Sequence, residues 1–264
     1  MTSSVADIYE IAMGRWSRRL ARAFLAFVDA PACGTLLDVG CGTGSLTLAA
    51  ATRYPSATIT GIDLMPDYLG EALLHAAPNV KFETGDASAL PYENVSFDTA
   101  FSQLVLNDLA EPEKALSEML RVTRPGGVIA ATVWDRSGGL AFLRLFLDAA
   151  AILFDGEGEA LRARIFNVPY ENEDALLDLW ADAGLTEIGT ATLSIRMDFL
   201  DFNDYWQSLL GSHSLIREFF TSLDAEAAHS LQSAVRRAYI SGGNDGKRSL
   251  VASALAVRGL AGTA

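Results

Sequence analysis

The 264-residue sequence predicts an α/β fold: a seven-stranded, mostly parallel sheet with helices on both faces and a helical cap. Three observations predict it. Short apolar runs alternate with stretches of helical period from residue 15 to residue 134. The glycine loop "GCGTG" (Gly40–Gly44) follows the first apolar run and opens directly into a helical stretch. Half of the residues are hydrophobic, enough for one sizeable core.

The elements follow in order. Trp16, Leu20, Phe24, Phe27 and Val28 recur at helical spacing, so residues 15–29 read as an amphipathic helix. Beside that stripe run Arg15, Arg18, Arg19 and Arg22, either a solvated face or an anion or membrane-surface contact. Strands are expected at Thr35–Val39, Thr58–Ile62, Val80–Thr84, Asp98–Val105 and Val128–Trp134. Helices are expected at Ser45–Arg53, Pro66–Ala76 and Glu113–Val122, with "RPGG" (Arg124–Gly127) as a turn. After Trp134 the rhythm breaks. Leu140–Phe154 and Asn172–Ala183 read as helices, the second ended by Gly184. Thr186–Phe199 is one long strand or a bent pair, residues 201–240 are helical, and Leu250–Val257 is another strand. The chain reads as one domain over residues 1–264, with a helical segment at 1–30 and cap insertions at 139–168 and 200–245.

Composition excludes several classes of function. A net charge of −13 argues against a nucleic-acid backbone as partner, because such binding rests on clustered Lys and Arg. Cys33 and Cys41 make no disulfide framework, and no Cys/His cluster has metal-ligand spacing, so no metal is expected. The apolar stretch Ala23–Val28 is too short for a span or a signal core, so no stable membrane insertion is expected and the cytoplasm is the simplest location. Oligomeric state is not legible.

The glycine loop discriminates between ligands. A dinucleotide would call for G-x-G-x-x-G with a pyrophosphate at the helix N-terminus. Here Gly40, Gly42 and Gly44 give G-x-G-x-G, and Ser45 follows. Asp38, two residues before the loop, would repel a diphosphate but favour a cationic cofactor. The glycines let the backbone approach such a ligand closely.

"LLDVGCGTG" (Leu36–Gly44) resembles the first motif of class I S-adenosylmethionine-dependent methyltransferases. "ITGIDLMPDYL" (Ile59–Leu69) resembles the second, "FETGDASALPY" (Phe82–Tyr92) the third, and Ser96–Gly127 is similar to the small-molecule, ubiquinone-biosynthesis-like branch, methyltransferase type 11. The resemblance covers roughly residues 35–134. It implies a Rossmann-like methyltransferase fold and S-adenosyl-L-methionine as cofactor. It further implies that Gly40, Cys41 and Gly42 cradle the methionyl part above Asp38. Asp63, 19 residues after Gly44, would take the ribose hydroxyls, with Leu64 beside it. Asp86 and the Ala87 N–H would meet the adenine, and Gln103 of the fourth strand would also bind the cofactor. Residues 1–30 would fold over the cofactor, with Arg15 as partner of its carboxylate and Arg18 behind it. Cys41 reads as a packing residue rather than a nucleophile.

The expected activity is methyl transfer to a small organic acceptor, with O, N or C as the methylated atom undecided. The alternatives are a tRNA or protein methyltransferase, or a non-catalytic binder of S-adenosylmethionine or S-adenosylhomocysteine. The place of the amine-methylation motif reads "SQLVLN" (Ser102–Asn107), which disfavours a base amine as acceptor. His213, in the cap, is the candidate base, though a structural role competes. Tyr9, Trp134 and Trp206 are candidate acceptor contacts, suited to a largely apolar molecule. Residues 200–220 are expected to form a mobile lid.

Overall fold

Residues 10–167, 170 and 172–262 are described by the computed structural model. The strands are β1 (Cys33–Val39), β2 (Ser56–Asp63), β3 (Val80–Thr84), β4 (Phe97–Gln103), β5 (Thr123–Trp134), β6 (Thr186–Phe199) and β7 (Arg248–Leu260). They form one sheet in the order β3-β2-β1-β4-β5-β7-β6. β1 to β5 are mutually parallel, and β7 runs antiparallel to both β5 and β6. The order reverses between β1 and β4, and in open parallel sheets a crevice opens at the carboxyl ends of such a pair.

Alternation along β1 sorts the core into two layers. Leu36 faces a cluster with Phe24, Leu25 and Val28 of α1 (Arg15–Val28) and Leu46 and Ala50 of α2 (Ser45–Arg53). Leu37 and Val39 face the opposite layer, with Leu116 and Met119 of α4 (Pro112–Val122) and Trp180 of α7 (Glu173–Asp182). Between them in sequence, α3 (Pro66–Leu73) starts on a proline, which suits the first helical turn because it needs no N–H there. α1 ends where Asp29 turns left-handed, φ 50°, and its N–H returns to the Leu25 carbonyl.

A third cluster forms the cap. It unites α5 (Ala141–Leu153), α6 (Glu157–Phe166), α8 (Phe202–Ser212), α9 (Ser214–Ser222) and α10 (Ala225–Ile240) with Trp16 and Leu20 of α1. Tyr205 is fully buried and donates its hydroxyl to the Phe142 carbonyl at 2.7 Å. Trp16 Nε1 donates to Ser208 Oγ at 3.5 Å, and Ser208 Oγ donates to the Ala12 carbonyl at 2.9 Å.

Three expectations change. "RPGG" is not a turn between elements but the entry of β5: Gly126 has φ 77°, its N–H reaches the Ala261 carbonyl, and the pairing with β4 shifts register there. Of the two readings open for Thr186–Phe199, the single strand holds, with a register shift after Thr186 beside Glu187 at φ 48°. Helix α6 was not expected, since only Gly158, Leu161 and Ile165 face inward and the apolar stripe is thin. Burial argues against the lid expectation for 200–220 over α8, where Tyr205 and Leu209 lie wholly within the cap core. Hydrogen exchange tests this: the amides from Tyr205 to Leu209 should exchange as slowly as those of Val128–Trp134, and fast exchange there would mean a loosely docked cap.

Candidate functional site

The loop after β1 is carried by the end of β2. Gly40 and Cys41 donate their N–H groups to the Ile62 carbonyl at 2.8 and 3.0 Å. Asp63, the last residue of β2, accepts the Gly42 N–H on Oδ2 at 2.8 Å and the Met65 N–H on Oδ1 at 2.9 Å. Gly40 sits at φ 74°, where a Cβ would come within 2.5 Å of Val105 Cγ2. Only glycine fits there, so the backbone itself forms the floor of the crevice. The crevice holds about 330 Å³. Gly40, Gly42, Asp63, Leu64, Asp86, Ala87 and Gln103 line it, together with Tyr68, Leu104 and Asp108.

Beneath this floor lies Asp38, 1% exposed. Its Oδ2 accepts the Thr47 hydroxyl at 2.5 Å, while Oδ1 has no hydrogen-bond partner. Burial, with a further push from the Asp63 charge, raises its carboxyl to about 7. Burial also pushes the Cys41 thiol up, with Asp38 and Asp63 adding to the effect, so it stays protonated and is no nucleophile.

A second cavity of about 370 Å³ adjoins the first and shares Tyr68, Leu104 and Asp108 with it. Its walls include Ser17, Trp134, Arg136, Phe142 and His213. Leu104 has φ 64°, a left-handed turn that is unusual without glycine, and its N–H is anchored on the Thr132 carbonyl. Burial and the nearby Arg136 charge lower the His213 imidazole to about 4, and its Nδ1 is buried with no hydrogen-bond partner. A larger groove of about 820 Å³ runs along α1 and α2, lined by Arg18, Arg22, Arg53 and His75 among others. It lies off the strand ends, so the two smaller cavities form the candidate site.

Residues 37–131 match the family model described as "Methyltransferase domain". The chain is 33% identical over 214 residues to a demethylmenaquinone methyltransferase of Roseiflexus castenholzii, covering 74% of this chain and 90% of that protein. The chain belongs to the class I S-adenosylmethionine-dependent methyltransferases. A trans-aconitate 2-methyltransferase of Deinococcus radiodurans is 35% identical over 113 residues, a match that spans only 43% of either protein. Among solved structures, phosphoethanolamine N-methyltransferase 2 of Haemonchus contortus, bound to phosphomonomethylethanolamine and S-adenosylhomocysteine, aligns with TM-score 0.60 at 17% identity. That alignment covers 99% of this chain and 61% of the other. The YcgJ protein of Bacillus subtilis aligns with TM-score 0.58 at 14% identity, over 93% and 99% of the two chains. At such identities these structures support the fold alone.

The methyltransferase's own residues fit its family's cofactor. Two buried acceptors, Asp38 Oδ1 and Gln103 Oε1, have no hydrogen-bond donor among the described residues, which suits an ammonium group. Asp63 is held by two backbone donors, leaving lone pairs for a diol. Leu64 is 63% exposed, an apolar surface beside Asp63 that a flat ring would cover. Asp86 Oδ1 accepts both the N–H and the hydroxyl of Ser88, so it caps a turn at the rim of the crevice.

Two expected contacts lie elsewhere. Arg15 does not face the crevice: its guanidinium pairs with Asp204 at 2.8 and 3.1 Å and stacks on Trp16, because α8 offers a carboxylate where α1 begins. Trp206 packs in the cap core against Phe146, Phe202 and Phe220, not on the second cavity. Tyr9 lies outside the described residues. Arg18 pairs with Glu10, which accepts the Thr43 hydroxyl at 2.6 Å on the outer side of the loop. Trp134 and His213 do meet in one cavity. Sequence reasoning missed Ser17, Tyr68, Leu104, Asp108 and Arg136. The one available signal was position: Leu104, Asp108 and Arg136 follow directly on β4 and β5.

Among the described residues no helix is long and apolar enough to cross a membrane, and no group of His, Cys, Asp or Glu could hold a metal ion.

Asp38 gives the fold a pH signature. Its carboxyl rises from 3.8 to about 7 in the fold, so between those values the folded chain holds a proton that the unfolded chain releases. The stability it contributes is complete below about pH 4 and is lost as pH rises through 7. Asp38→Asn should therefore stabilise the protein more at pH 8.5 than at pH 5, by at least about 1 kcal/mol, in urea unfolding.

Proposed function

We propose that this methyltransferase transfers a methyl group to a small organic acceptor seated in the cavity between Trp134 and His213, with S-adenosylmethionine in the glycine-floored crevice. The observation that carries this reading is the shared wall. Tyr68, Leu104 and Asp108 line both cavities, so molecules in the two lie side by side, as an in-line transfer requires. The names of the relatives, which specify demethylmenaquinone and trans-aconitate, are consistent with a small acceptor.

When bound, S-adenosylmethionine supplies a methyl group on a sulfonium, whose carbon–sulfur bond breaks as the acceptor's lone pair bonds the carbon and whose sulfur keeps the electron pair. The protein's part is to hold, orient and dry the reactants. Asp63 takes the ribose hydroxyls, Asp86 and Ala87 border the adenine, and Gln103 and the buried Asp38 face the ammonium and sulfonium charge. Bringing a cation over Asp38 favours its ionised form, so binding below pH 7 releases a proton from it. Trp134, Phe142 and Leu143 give the acceptor an apolar wall that excludes water. For an acceptor that must lose a proton, His213 is the base: Nδ1 is buried without a partner and has a free lone pair in the tautomer protonated at Nε2, and an imidazole held at about 4 takes the proton only from an acceptor that becomes acidic as the methyl group adds.

Two substitutions test the reading. Asp63→Ala should cost roughly 1–3 kcal/mol of S-adenosylhomocysteine affinity in calorimetry, since the diol and two backbone N–H groups lose their acceptor. Unchanged affinity in a folded variant removes the ribose assignment. His213→Ala should lower kcat by about 10²-fold or more at unchanged S-adenosylhomocysteine affinity. An unaltered kcat would leave His213 as a wall residue only.

A further inference from the structure

The second cavity carries more polarity than an apolar acceptor explains. Three groups on it stand out, from three distant parts of the chain. Ser17 of α1 is 2% exposed and its hydroxyl has no hydrogen-bond partner. His213, at the junction of α8 and α9, has its Nδ1 buried and unpartnered. Arg136, two residues past β5, is 9% exposed. In a native fold such polar atoms meet a partner, and here the partner would be the molecule in the cavity.

Arg136 is the anchor of the three. Its Nη2 donates to Asp108 Oδ1 at 2.8 Å. With the Asn107 amide turned so that its oxygen faces the guanidinium, that oxygen accepts from Nε at 3.2 Å and Nη2 at 3.1 Å. Nη1 has no hydrogen-bond partner among the described residues. The guanidinium is thus oriented from one side and open on the other. Asp108, its countercharge, is 65% exposed at the side chain and sits on a single 3-10 turn, so it can rotate into water and release a second N–H. A guanidinium edge with two N–H groups matches the planar geometry of a carboxylate.

Resting on the methyltransferase reading above, we propose that the acceptor carries a carboxylate, which Arg136 binds in place of Asp108 with the Ser17 hydroxyl as a further donor. Arg136 is then the residue that sets acceptor specificity. The charge count favours a monoanion. Arg136 is the one cation on this cavity and Asp108 its one carboxylate among the described residues, while His213, lowered to about 4, is neutral. With Asp108 turned out into water, a monoanion balances the Arg136 charge, whereas a doubly charged phosphate would leave a net negative charge in a half-buried site. The remainder of the acceptor lies on Trp134, Phe142 and Leu143, and the carboxylate fixes which atom faces the shared wall with the crevice.

Calorimetry on the complex with S-adenosylhomocysteine tests this without needing the natural acceptor. The probes are benzoate and hexanoate, each paired with its primary amide, which has the same shape but no charge. The acids should bind at least tenfold more tightly than the amides. Arg136→Met should erase that difference, Arg136→Lys should keep part of it, and Asp108→Asn should tighten the acids severalfold because the competing carboxylate is gone. A merely structural Arg136–Asp108 pair would give no such gain. Amides binding as well as acids, acids untouched by Arg136→Met, or neither probe binding would each overturn the proposal. The S-adenosylhomocysteine titration on each variant reports the cofactor site and the fold separately. Failure there would count against the cofactor reading and not against the carboxylate anchor.

Discussion

The site depends on one short attachment: the end of β2 holds the loop that leaves β1. The Ile62 carbonyl receives two N–H groups from that loop, and the Asp63 carboxylate receives a third from Gly42. The fold of the loop follows from this. With its N–H groups turned toward β2, the chain must pass Gly40 in a left-handed conformation under Val105, and no side chain fits between them. Asp63 is consequently both the clamp of the loop and a wall of the crevice. A residue that shapes a site in this way is held rigid by the same contacts that make it available to a ligand.

The crevice is bordered by two acids, with Asp38 buried beneath Asp63's loop. Asp38 and Asp63 act on one another, and the deeper of the two is driven toward its protonated form by burial. Fully paired acids would make a more stable protein and a poorer binding site. The cavity next door solves the opposite problem. There Arg136 is already paired, and the pairing carboxylate is the exposed, movable member. One cavity presents negative charge and the other a masked positive charge, across a wall of three residues. On the proposed reading, reactants of opposite polarity would be sorted to their own sides.

Much of this was legible in the sequence, for a physical reason. Glycines at alternate positions, an acid at the end of the next strand and strand periodicity are local signals, written over a few consecutive residues. Ser45–Arg53, Val80–Thr84 and Thr186–Phe199 have the bounds that their periodicity implies. The arginine stripe shows where local reading stops. Arg15, Arg18 and Arg19 are equivalent on the helix, yet each points where a carboxylate awaits it: Asp204, Glu10 and Asp198. Their partners belong to other elements, and helical spacing contains no trace of them. Trp206 and Trp134 are likewise both aromatic and both close to the strand ends. Only packing decides that the first is core and the second lines a cavity. Ser17, Arg136 and His213 meet only through tertiary structure, so no motif announces them.

The position of β7 has a consequence for how the protein comes into being. β7 follows every other strand in the chain, yet it lies inside the sheet, between β5 and β6. During synthesis, β5 emerges with one edge unpaired, and β6 emerges with no neighbour in the sheet at all. Both wait through the whole of α8, α9 and α10 for the strand that joins them. An open edge on an apolar parallel sheet is a template for pairing with another chain. Until β7 is made, the β5 edge has no partner strand. The cap helices made in that interval cannot cover the edge without blocking the strand still to come. The sheet of this fold therefore closes only when β7, Arg248–Leu260, is in place.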